Sequence, residues 1–380
     1  MAPEPFRIDV PDAALDDLRR RVRDTRWPDQ LPGSGWGYGT DASVLRPLAA
    51  YWADGYDWRA HEAALNAFPQ LLTTVDGQQV HVIHARSPEP GALPLVLTHG
   101  WPGSVAEFAK LVGPLRDPAA HGGDPADAFH VVVPSLPGYG FSGPTTASGW
   151  SSRRIGGAWA ELMTQLGYDR FGAHGGDWGS VVSHFLAEAA PERVVGAHVT
   201  LITAPRPGSA DDFADMTERE LRMRARIDDH KATGRGYQAI QSTQPQTLAY
   251  ALNDSPVGLL SWIVEKFRAW TDNDGDVFDA VSRDELLTNV SIYWFTGTIG
   301  SSMRLYAESA RAGMALAPVR VPLGVAGFPA EITGARRAWV AAHHNLVHWT
   351  EFDRGGHFAA LEEPDLLVSD IRDFFRPLRP

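Results

Sequence analysis

Apolar and polar positions change their spacing about 75 residues into the chain, and the two parts predict different structures. In the first part, Leu15, Leu18 and Val22 fall on one face of a short helix that Asp12 could cap. A Trp-, Pro- and Gly-rich stretch, RWPDQLPGSGWGYG, follows and cannot stay regular for long. Because so few core positions would not fold well alone, the aromatic side chains here are expected to wrap across another surface. Two more helices are expected, at about 44–52 and 58–68.

From about Thr73 onward the pattern is that of alternating strands and helices. QQVHVIHA alternates with a period of two, whereas several later runs are continuously apolar and end in Gly or Pro. Continuous runs suit strands that are buried on both faces of a parallel sheet, and helical patterns separate them. The alternation predicts an α/β fold with a doubly wound, mostly parallel sheet. The apolar runs occupy residues 93–100, 129–138, 194–203 and 321–329.

Between about Ala204 and Arg311 the alternation stops and the pattern becomes mostly helical. This segment lies between two predicted sheet strands, so we expect it to be an insertion that forms a lid. The predicted units are therefore an N-terminal meander packed on the core, a core in two parts, and the lid. Their expected boundaries are 1–75 for the meander, 76–204 and 312–380 for the core, and 205–311 for the lid.

Composition removes several classes of function. Hydrophobic residues make up 44% and charged residues 21% of the 380 positions, as in ordinary globular proteins. The net charge of −12 gives little support for a nucleic-acid partner. The chain has no cysteine, which excludes disulfides, thiolate metal sites and a cysteine nucleophile. No apolar run suggests a signal peptide or a membrane span, so we expect a cytoplasmic protein without a membrane partner. Arginine far outnumbers lysine, which hints at a GC-rich bacterial gene.

The strongest motif is GGDWG, residues 175–179, between a predicted strand and a predicted helix. Small residues on either side of a central nucleophile allow the sharp turn known as a nucleophile elbow. The central residue is Asp177, whose carboxylate could attack a carbon atom and form an ester. The helix N-terminus would help to keep it ionised. The alternative is a glycine-rich turn in which Asp177 only caps the helix.

A second motif, HGWP, follows an earlier predicted strand and contains His99, Gly100, Trp101 and Pro102. In this type of fold, such a loop supplies one backbone N–H of an oxyanion hole, here that of Trp101. The other N–H comes from the residue after the nucleophile, Trp178. His99, Gly100 and Pro102 would support the loop. A simple turn is the alternative, and the pairing with the elbow speaks against it.

The C-terminal part offers an acid and a base. His357 lies in a loop after the last predicted strand, where a catalytic base would sit, and Glu331 follows the preceding strand. The order nucleophile, acid, histidine is the order of the α/β-hydrolase fold. Asp353 is a rival acid. His343, His344 and His348 cluster without cysteine or a convincing carboxylate, which does not favour a zinc site.

Together these motifs resemble epoxide hydrolases of the α/β-hydrolase fold, in the branch with an N-terminal meander that includes microsomal-type enzymes and bacterial relatives. The resemblance covers almost the whole chain. It implies an α/β-hydrolase fold with a mostly parallel central sheet, a helical lid insertion and the meander. The matching strings are FRIDVPDAALDDLRRRV, TRWPDQ, HGWPGS, PSLPGYGFSG, GGDWGS, the branch-specific ALNDSPVGLLSWIVEKF, GFPAEI and GGHFAALEEP.

The resemblance also implies a mechanism. Tyr237 and Tyr306 match two lid tyrosines that hydrogen-bond the epoxide oxygen, and a phenol can donate a proton to the alkoxide that forms. Asp177 would form a hydroxyalkyl ester, and His357 with Glu331 would activate the water that hydrolyses it. A small-molecule epoxide is the expected substrate, with no metal or organic cofactor. The resemblance further suggests a cis Trp101–Pro102 peptide bond.

Other readings stay open at this point. A haloalkane dehalogenase also uses an aspartate nucleophile, and Trp178 stands where a tryptophan can help to bind halide. Against it, Trp101 replaces the polar asparagine expected after His-Gly. A serine esterase is disfavoured because the elbow carries an aspartate, and a non-catalytic hydrolase-fold receptor would be expected to lose part of the constellation. Lid and meander surfaces could support a homodimer, and either detoxification or a biosynthetic step is compatible with the residues.

Overall fold

A single nine-stranded sheet organises the described part of the protein, which the computed structural model gives as residues 3–206 and 213–379. The order across the sheet is β1-β2-β3-β5-β4-β6-β7-β8-β9. The strands are β1 (Glu4–Phe6), β2 (Gln70–Val75), β3 (Gln78–Ala85), β4 (Leu93–Thr98), β5 (Phe129–Pro134), β6 (Phe171–Gly175), β7 (Val194–Val199), β8 (Leu323–Gly327) and β9 (Leu346–Glu351).

The strands from β5 to β9 in this order are parallel to one another, whereas β1, β2 and β3 form an antiparallel edge. The predicted class, α/β with a mostly parallel sheet, is confirmed. The continuous apolar runs correspond to β4, β5, β7 and β8, and their side chains are largely buried because helices cover both faces. The three-residue β1 was too short to leave a periodic signal in the sequence.

Fifteen α-helices surround the sheet or form the insertion among the described residues. They are α1 (Asp12–Arg23), α2 (Ala42–Asp54), α3 (Trp58–Leu65), α4 (Ala109–Arg116), α5 (Ser152–Gln165), α6 (Trp178–Ala189), α7 (Glu218–Asp229), α8 (Gly236–Thr243), α9 (Pro245–Asp254), α10 (Pro256–Trp270), α11 (Arg283–Thr296), α12 (Ile299–Ala312), α13 (Arg337–His343), α14 (Ala359–Glu362) and α15 (Pro364–Phe375). Helices α4 and α15 cover one face of the sheet, and α5 and α6 cover the other.

Helix α1 buries the predicted apolar face of Leu15, Leu18 and Val22. The expected cap is wrong, however. Pro11 occupies the N-cap position without any side-chain cap, and Asp12 is the first helical residue. The Asp12 carboxylate pairs with Arg59 instead, so a cross-helix ion pair takes the place of the local capping bond.

The N-terminal helices lie against the insertion. Trp52 on α2 donates its indole N–H to Ser291 Oγ on α11 at 2.9 Å, and the hydroxyls of Tyr56 and Thr288 lie 2.9 Å apart. Trp52 and Tyr56 therefore lie against another surface, as predicted for the aromatic residues of this part, whereas Tyr38 is 85% exposed. Contact with the central sheet comes from β1 and β2, which extend its antiparallel edge.

Helices α7 to α12 fill the interval between β7 and β8, where the sequence predicts a lid. Capping boxes start two of them: Thr217 with Glu220 before α7, and Ser282 with Glu285 before α11. We propose the predicted units as they stand: the meander at 1–75, the core at 76–204 and 312–380, and the lid at 205–311. Residues 207–212 of the lid lie outside the described part. None of the described helices is long and apolar enough to cross a membrane.

Candidate active site

Asp177 sits at the sharp turn between β6 and α6 with a φ of +48°, a backbone conformation that non-glycine residues rarely adopt. The flanking glycines make the turn possible. A Cβ on Gly175 would lie 2.3 Å from the backbone of Gly179, and one on Gly179 would lie 1.8 Å from the carbonyl oxygen of Thr98. The strand–turn–helix geometry predicted from the motif is therefore present. The Asp177 side chain does not cap α6, so the simpler reading of the motif fails.

The two oxygens of the Asp177 carboxylate have different surroundings. Oδ1 accepts a hydrogen bond of 2.7 Å from the backbone N–H of Trp101, and Oδ2 lies 3.5 Å from Nε2 of His357. Gly100 allows this approach, because a Cβ there would lie 2.2 Å from Oδ1. Trp178 is the first residue of α6, and the first N–H groups of a helix have no partner within it. The Trp101 N–H thus binds one carboxylate oxygen, and the Trp178 N–H lies at the start of the helix that follows Asp177.

Two hydrogen bonds join the HGWP loop to the helical insertion. The carbonyl of Pro102 accepts a hydrogen bond from Asn289 Nδ2, and that of Gly103 accepts one from the hydroxyl of Tyr293, each at 2.7 Å. Both donors belong to α11. The Trp101–Pro102 peptide is cis, as the sequence resemblance suggests.

His99 holds the HGWP loop through hydrogen bonds of both ring nitrogens. Its Nε2 lies 3.2 Å from the backbone N–H of Leu136 and accepts its hydrogen bond, which leaves Nδ1 to donate to the carbonyl of Gly100 at 3.0 Å. Burial lowers the pKa of His99 to about 4, so the ring is neutral and can play both roles. His99 is a structural support and does not contact the cavity beside Asp177.

His357 and Glu331 come together at the ends of β9 and β8. Nδ1 of His357 lies 2.7 Å from Oε1 of Glu331, and the His357 side chain is only 1% exposed. Burial alone would lower the pKa of His357, but the nearby carboxylates of Glu331 and Asp177 outweigh that effect and raise it well above its usual value. His357 is therefore an imidazolium while Asp177 is ionised.

The rival acid is placed elsewhere. The side chain of Asp353 is 91% exposed and lies near Arg354. The carboxylate beside the imidazole is that of Glu331, whose Oε1 also accepts the N–H of Ile332 at 2.6 Å. This second bond holds the carboxylate in one orientation.

Tyr237 on α8 and Tyr306 on α12 bring their rings together above Asp177, with centroids 5.9 Å apart and planes at 82°. The indole of Trp101 stacks on Tyr237 at 5.2 Å, and that of Trp178 meets Tyr306 edge-on at 4.8 Å. Burial and the Asp177 charge raise the pKa of both phenols. Both hydroxyls therefore remain protonated and can donate to an oxygen.

A cavity of about 250 Å³ opens beside Asp177 and both tyrosines. A larger cavity of about 320 Å³ is lined by Glu331 and shares Ile202 and Thr333 with the first. It lacks Asp177, so we place the reaction in the smaller cavity. Other residues that line the smaller cavity are Trp178, Ser180, Val181, His184, Leu201, Thr203, His230, Arg235, Gln238, Met314, Leu316 and Ile332.

Sequence reasoning missed several residues that shape the site. The ring of Trp270 meets that of His357 at 4.9 Å, and its carbonyl accepts the backbone N–H of His357 at 2.9 Å. Lys266 lies against Tyr237. Their signal was the four-residue spacing of Trp262, Lys266 and Trp270, which places all three on one face of α10.

Comparison with known proteins gives a consistent picture. Residues 3–108 match the family described as "Epoxide hydrolase N terminus", and residues 94–249 match "alpha/beta hydrolase fold". A protein of Stigmatella aurantiaca, provisionally named an epoxide hydrolase, is 47% identical over 99% of this chain and 85% of its own length. Epoxide hydrolase 1 of Sus scrofa is 37% identical over 97% of this chain and 88% of its own. The solved structure of Aspergillus niger epoxide hydrolase superposes with a TM-score of 0.89 and 32% identity, covering 100% of this chain and 97% of that one.

Proposed function

The chain belongs to the epoxide hydrolases of the α/β-hydrolase fold and is an epoxide hydrolase, and we propose that Asp177, His357 and Glu331 carry out its reaction. The single observation that supports this assignment most strongly is the Asp177 carboxylate. One oxygen is held by a backbone N–H, and the other lies 3.5 Å from a histidine that is itself bound to Glu331. The substrate we propose is a small-molecule epoxide that enters the cavity beside Asp177.

In the first step, Oδ2 of Asp177 attacks the more accessible epoxide carbon. Oδ1 stays on the Trp101 N–H, so the free oxygen is the one that faces the cavity. The carbon–oxygen bond of the ring breaks, and negative charge develops on the epoxide oxygen. Tyr237 and Tyr306 donate to that oxygen, and one of them transfers its proton. The product of this step is a hydroxyalkyl ester of Asp177.

Ester formation prepares His357 for the second step. The Asp177 charge contributes to the raised pKa of His357, and the ester is neutral. The pKa of His357 therefore falls when the ester forms, and the ring can then act as a base. Glu331 keeps the ring oriented and balances the charge when it takes a proton from water.

The activated water attacks the carbonyl carbon of the ester. The oxyanion that forms lies between the N–H groups of Trp101 and Trp178, and losing one such donor typically costs about 10²–10³ in rate. Collapse of this intermediate releases a vicinal diol and returns Asp177 to its carboxylate.

Isotope incorporation in a single turnover tests this path. With enzyme in excess over epoxide in ¹⁸O-labelled water, the first diol should carry no label, and the peptide that contains Asp177 should gain it. The peptide that contains the buried Asp370 is a matched control and should stay unlabelled. Label in the first diol, with an unlabelled Asp177 peptide, would mean direct attack by water and would overturn the covalent path.

A further inference from the structure

Lys266 is a buried cation that the reaction described above does not use. The residue is 4% exposed, whereas the chain's two other lysines, Lys110 and Lys231, lie at the surface. Lysine is almost never fully buried without a partner. Its counter-charge is the neighbouring Glu265, with which it forms a close ion pair.

Three aromatic rings surround the Lys266 ammonium. Its Nζ lies over the ring of Tyr237, 4.6 Å from the centroid, with Trp262 at 5.5 Å and Trp270 at 6.0 Å. Tyr237 also stacks against Trp101, so the ring that faces the epoxide is fixed by an indole and an ammonium. An apolar side chain could fill the same space without the cost of burying a charge. What Lys266 adds beyond an apolar side chain is therefore its positive charge beside the Tyr237 ring.

We propose that Lys266 is a positioning residue for epoxide opening: its ammonium fixes the Tyr237 ring and stabilises the phenolate that Tyr237 becomes when it protonates the alkoxide. The proposal rests on the function proposed above. A cation over an aromatic ring is attracted to the neutral ring, and more strongly to the same ring once it carries a negative charge. The interaction thus strengthens along the reaction, which is the requirement for lowering a barrier.

The charges around Tyr237 change during the first step in a way that favours a phenolate at this residue. In the free protein, the Asp177 carboxylate opposes a second negative charge on Tyr237. Ester formation removes that carboxylate charge, while Lys266 remains in place. Glu265, which pairs with Lys266, opposes a negative charge on Tyr237, and Arg235 favours one. His230 also lies close to Lys266 and Arg235, but burial lowers its pKa to about 4, so it adds no charge near neutral pH.

The proton balance closes over one turnover. Tyr237 gives a proton to the alkoxide in the first step. His357 starts as an imidazolium and releases its proton to solvent when the ester forms. In the second step, it takes a proton from water and passes it to the departing diol oxygen. Ester cleavage leaves Asp177 as a carboxylic acid, whose proton returns to the Tyr237 phenolate. His357 then regains a proton from solvent beside the restored Asp177 carboxylate. No oxidant, reductant or other reactant is needed.

The test measures ester formation in the His357→Gln background, where the second step is blocked, by rapid quenching and intact-protein mass spectrometry. Lys266→Met should slow ester formation roughly 10- to 100-fold. Lys266→Arg should recover most of the rate, because it keeps the charge. Lys231→Met, at an exposed lid lysine, is the matched control and should not change it.

A double-mutant cycle shows whether the effect passes through Tyr237. In a Tyr237→Phe protein, no phenolate can form, so adding Lys266→Met should cause little further slowing. Equal slowing with and without the Tyr237 hydroxyl would overturn the proposal, as would an unchanged rate in Lys266→Met. If the parent His357→Gln protein forms no ester at all, the proposed function fails instead.

A second variant covers the case in which Lys266→Met does not fold. Glu265→Gln keeps the ammonium and removes its counter-charge. The proposal predicts ester formation at least as fast as in the parent, because the full charge then acts on Tyr237. Slower ester formation in a folded Glu265→Gln protein would mean that the ion pair matters only for structure, and would contradict the proposal.

Discussion

Two clusters in this protein are built from histidine and carboxylate side chains, and they differ in which of these groups are left without a close hydrogen bond. The catalytic cluster, named for its proposed role, comprises His357, Glu331 and Asp177. The buried cluster comprises His198 on β7, His348 on β9 and Asp370 on α15. In the catalytic cluster, the separation of 3.5 Å between Nε2 of His357 and Oδ2 of Asp177 is too long for a well-formed hydrogen bond.

In the buried cluster, each group is already engaged. Asp370 accepts from Nε2 of His198 through one oxygen and from Nε2 of His348 through the other, both at 2.8 Å. The second ring nitrogen of His198 lies 2.9 Å from His174 Nδ1, and Phe374 packs against His198 and His348. The three donor atoms lie within 4.8 Å of one another, as in a metal site, but hydrogen bonds satisfy them.

The comparison teaches that residue type alone does not identify a reactive histidine. What distinguishes His357 is a nitrogen that faces a nucleophile beside a cavity, whereas the nitrogens of the buried cluster stabilise the packing of α15 on the sheet. Four changes should separate the two clusters, in order of decreasing effect.

The largest contrast is in turnover. Replacing His357 with glutamine removes the base, so steady-state turnover of an epoxide should fall by about 10⁴ or more. His348→Gln changes the buried cluster, and turnover should stay within about threefold of the parent. Measurement of kcat and KM for both variants checks this, and comparable losses in kcat would erase the distinction between the clusters.

The reverse contrast is in stability. Asp370→Ala leaves two histidines in the interior without their shared acceptor, so the free energy of unfolding should fall by about 3 kcal/mol. Asp365→Asn, at an exposed position on the same helix, should change it by less than about 1 kcal/mol. Urea titrations of the two variants give these values. A fully stable Asp370→Ala protein would show that the buried cluster has no structural role.

The third change concerns the charge on His357. Asp177→Asn removes one of the two carboxylates that raise the pKa of His357, so that pKa should fall. The pKa of His348, which is raised by its bond to Asp370, should not move. NMR titration of ¹⁵N-labelled histidines follows both rings in one sample. An unchanged His357 would contradict the idea that ester formation switches the base on.

The smallest effect is a pH dependence of stability. Because the pKa of His348 is raised in the folded protein, its contribution is complete below about pH 6.5 and is lost as the pH rises through the folded value. The stability difference between the parent and His348→Asn should therefore be larger at pH 6 than at pH 9. Urea titrations at the two values measure it, and a difference that grows with pH would have the wrong sign.

Local patterns in the sequence were enough to predict the parallel strands and the elbow. Continuous apolar runs report burial on both faces, and Gly175 is needed for a contact with Gly179 only four residues away. Gly179 is needed for its approach to Thr98 on β4, but it carries the same local signal. The predicted capping role of Asp12 was wrong because a capping residue and a first-turn residue look alike in sequence. Asp12 pairs instead with Arg59, which is distant in the chain.

Pairing over long distances could not be predicted from the residues alone. His348 looks like part of a cluster with His343 and His344 in the sequence, yet its partner is Asp370 on α15. The ammonium of Lys266 meets Tyr237 only because α8 and α10 pack together, and spacing on one helix cannot reveal the ring that another helix contributes.

The central claim is that Asp177 forms an ester with the substrate, and intact-protein mass spectrometry of His357→Gln tests it most directly. After mixing with an epoxide that the parent enzyme hydrolyses, the protein should gain the mass of one whole epoxide and keep it, because the second step is blocked. The double variant with both Asp177→Ala and His357→Gln, mixed with the same epoxide, should show no gain in mass. A folded His357→Gln protein without an adduct, or an adduct that survives the loss of Asp177, would contradict the account.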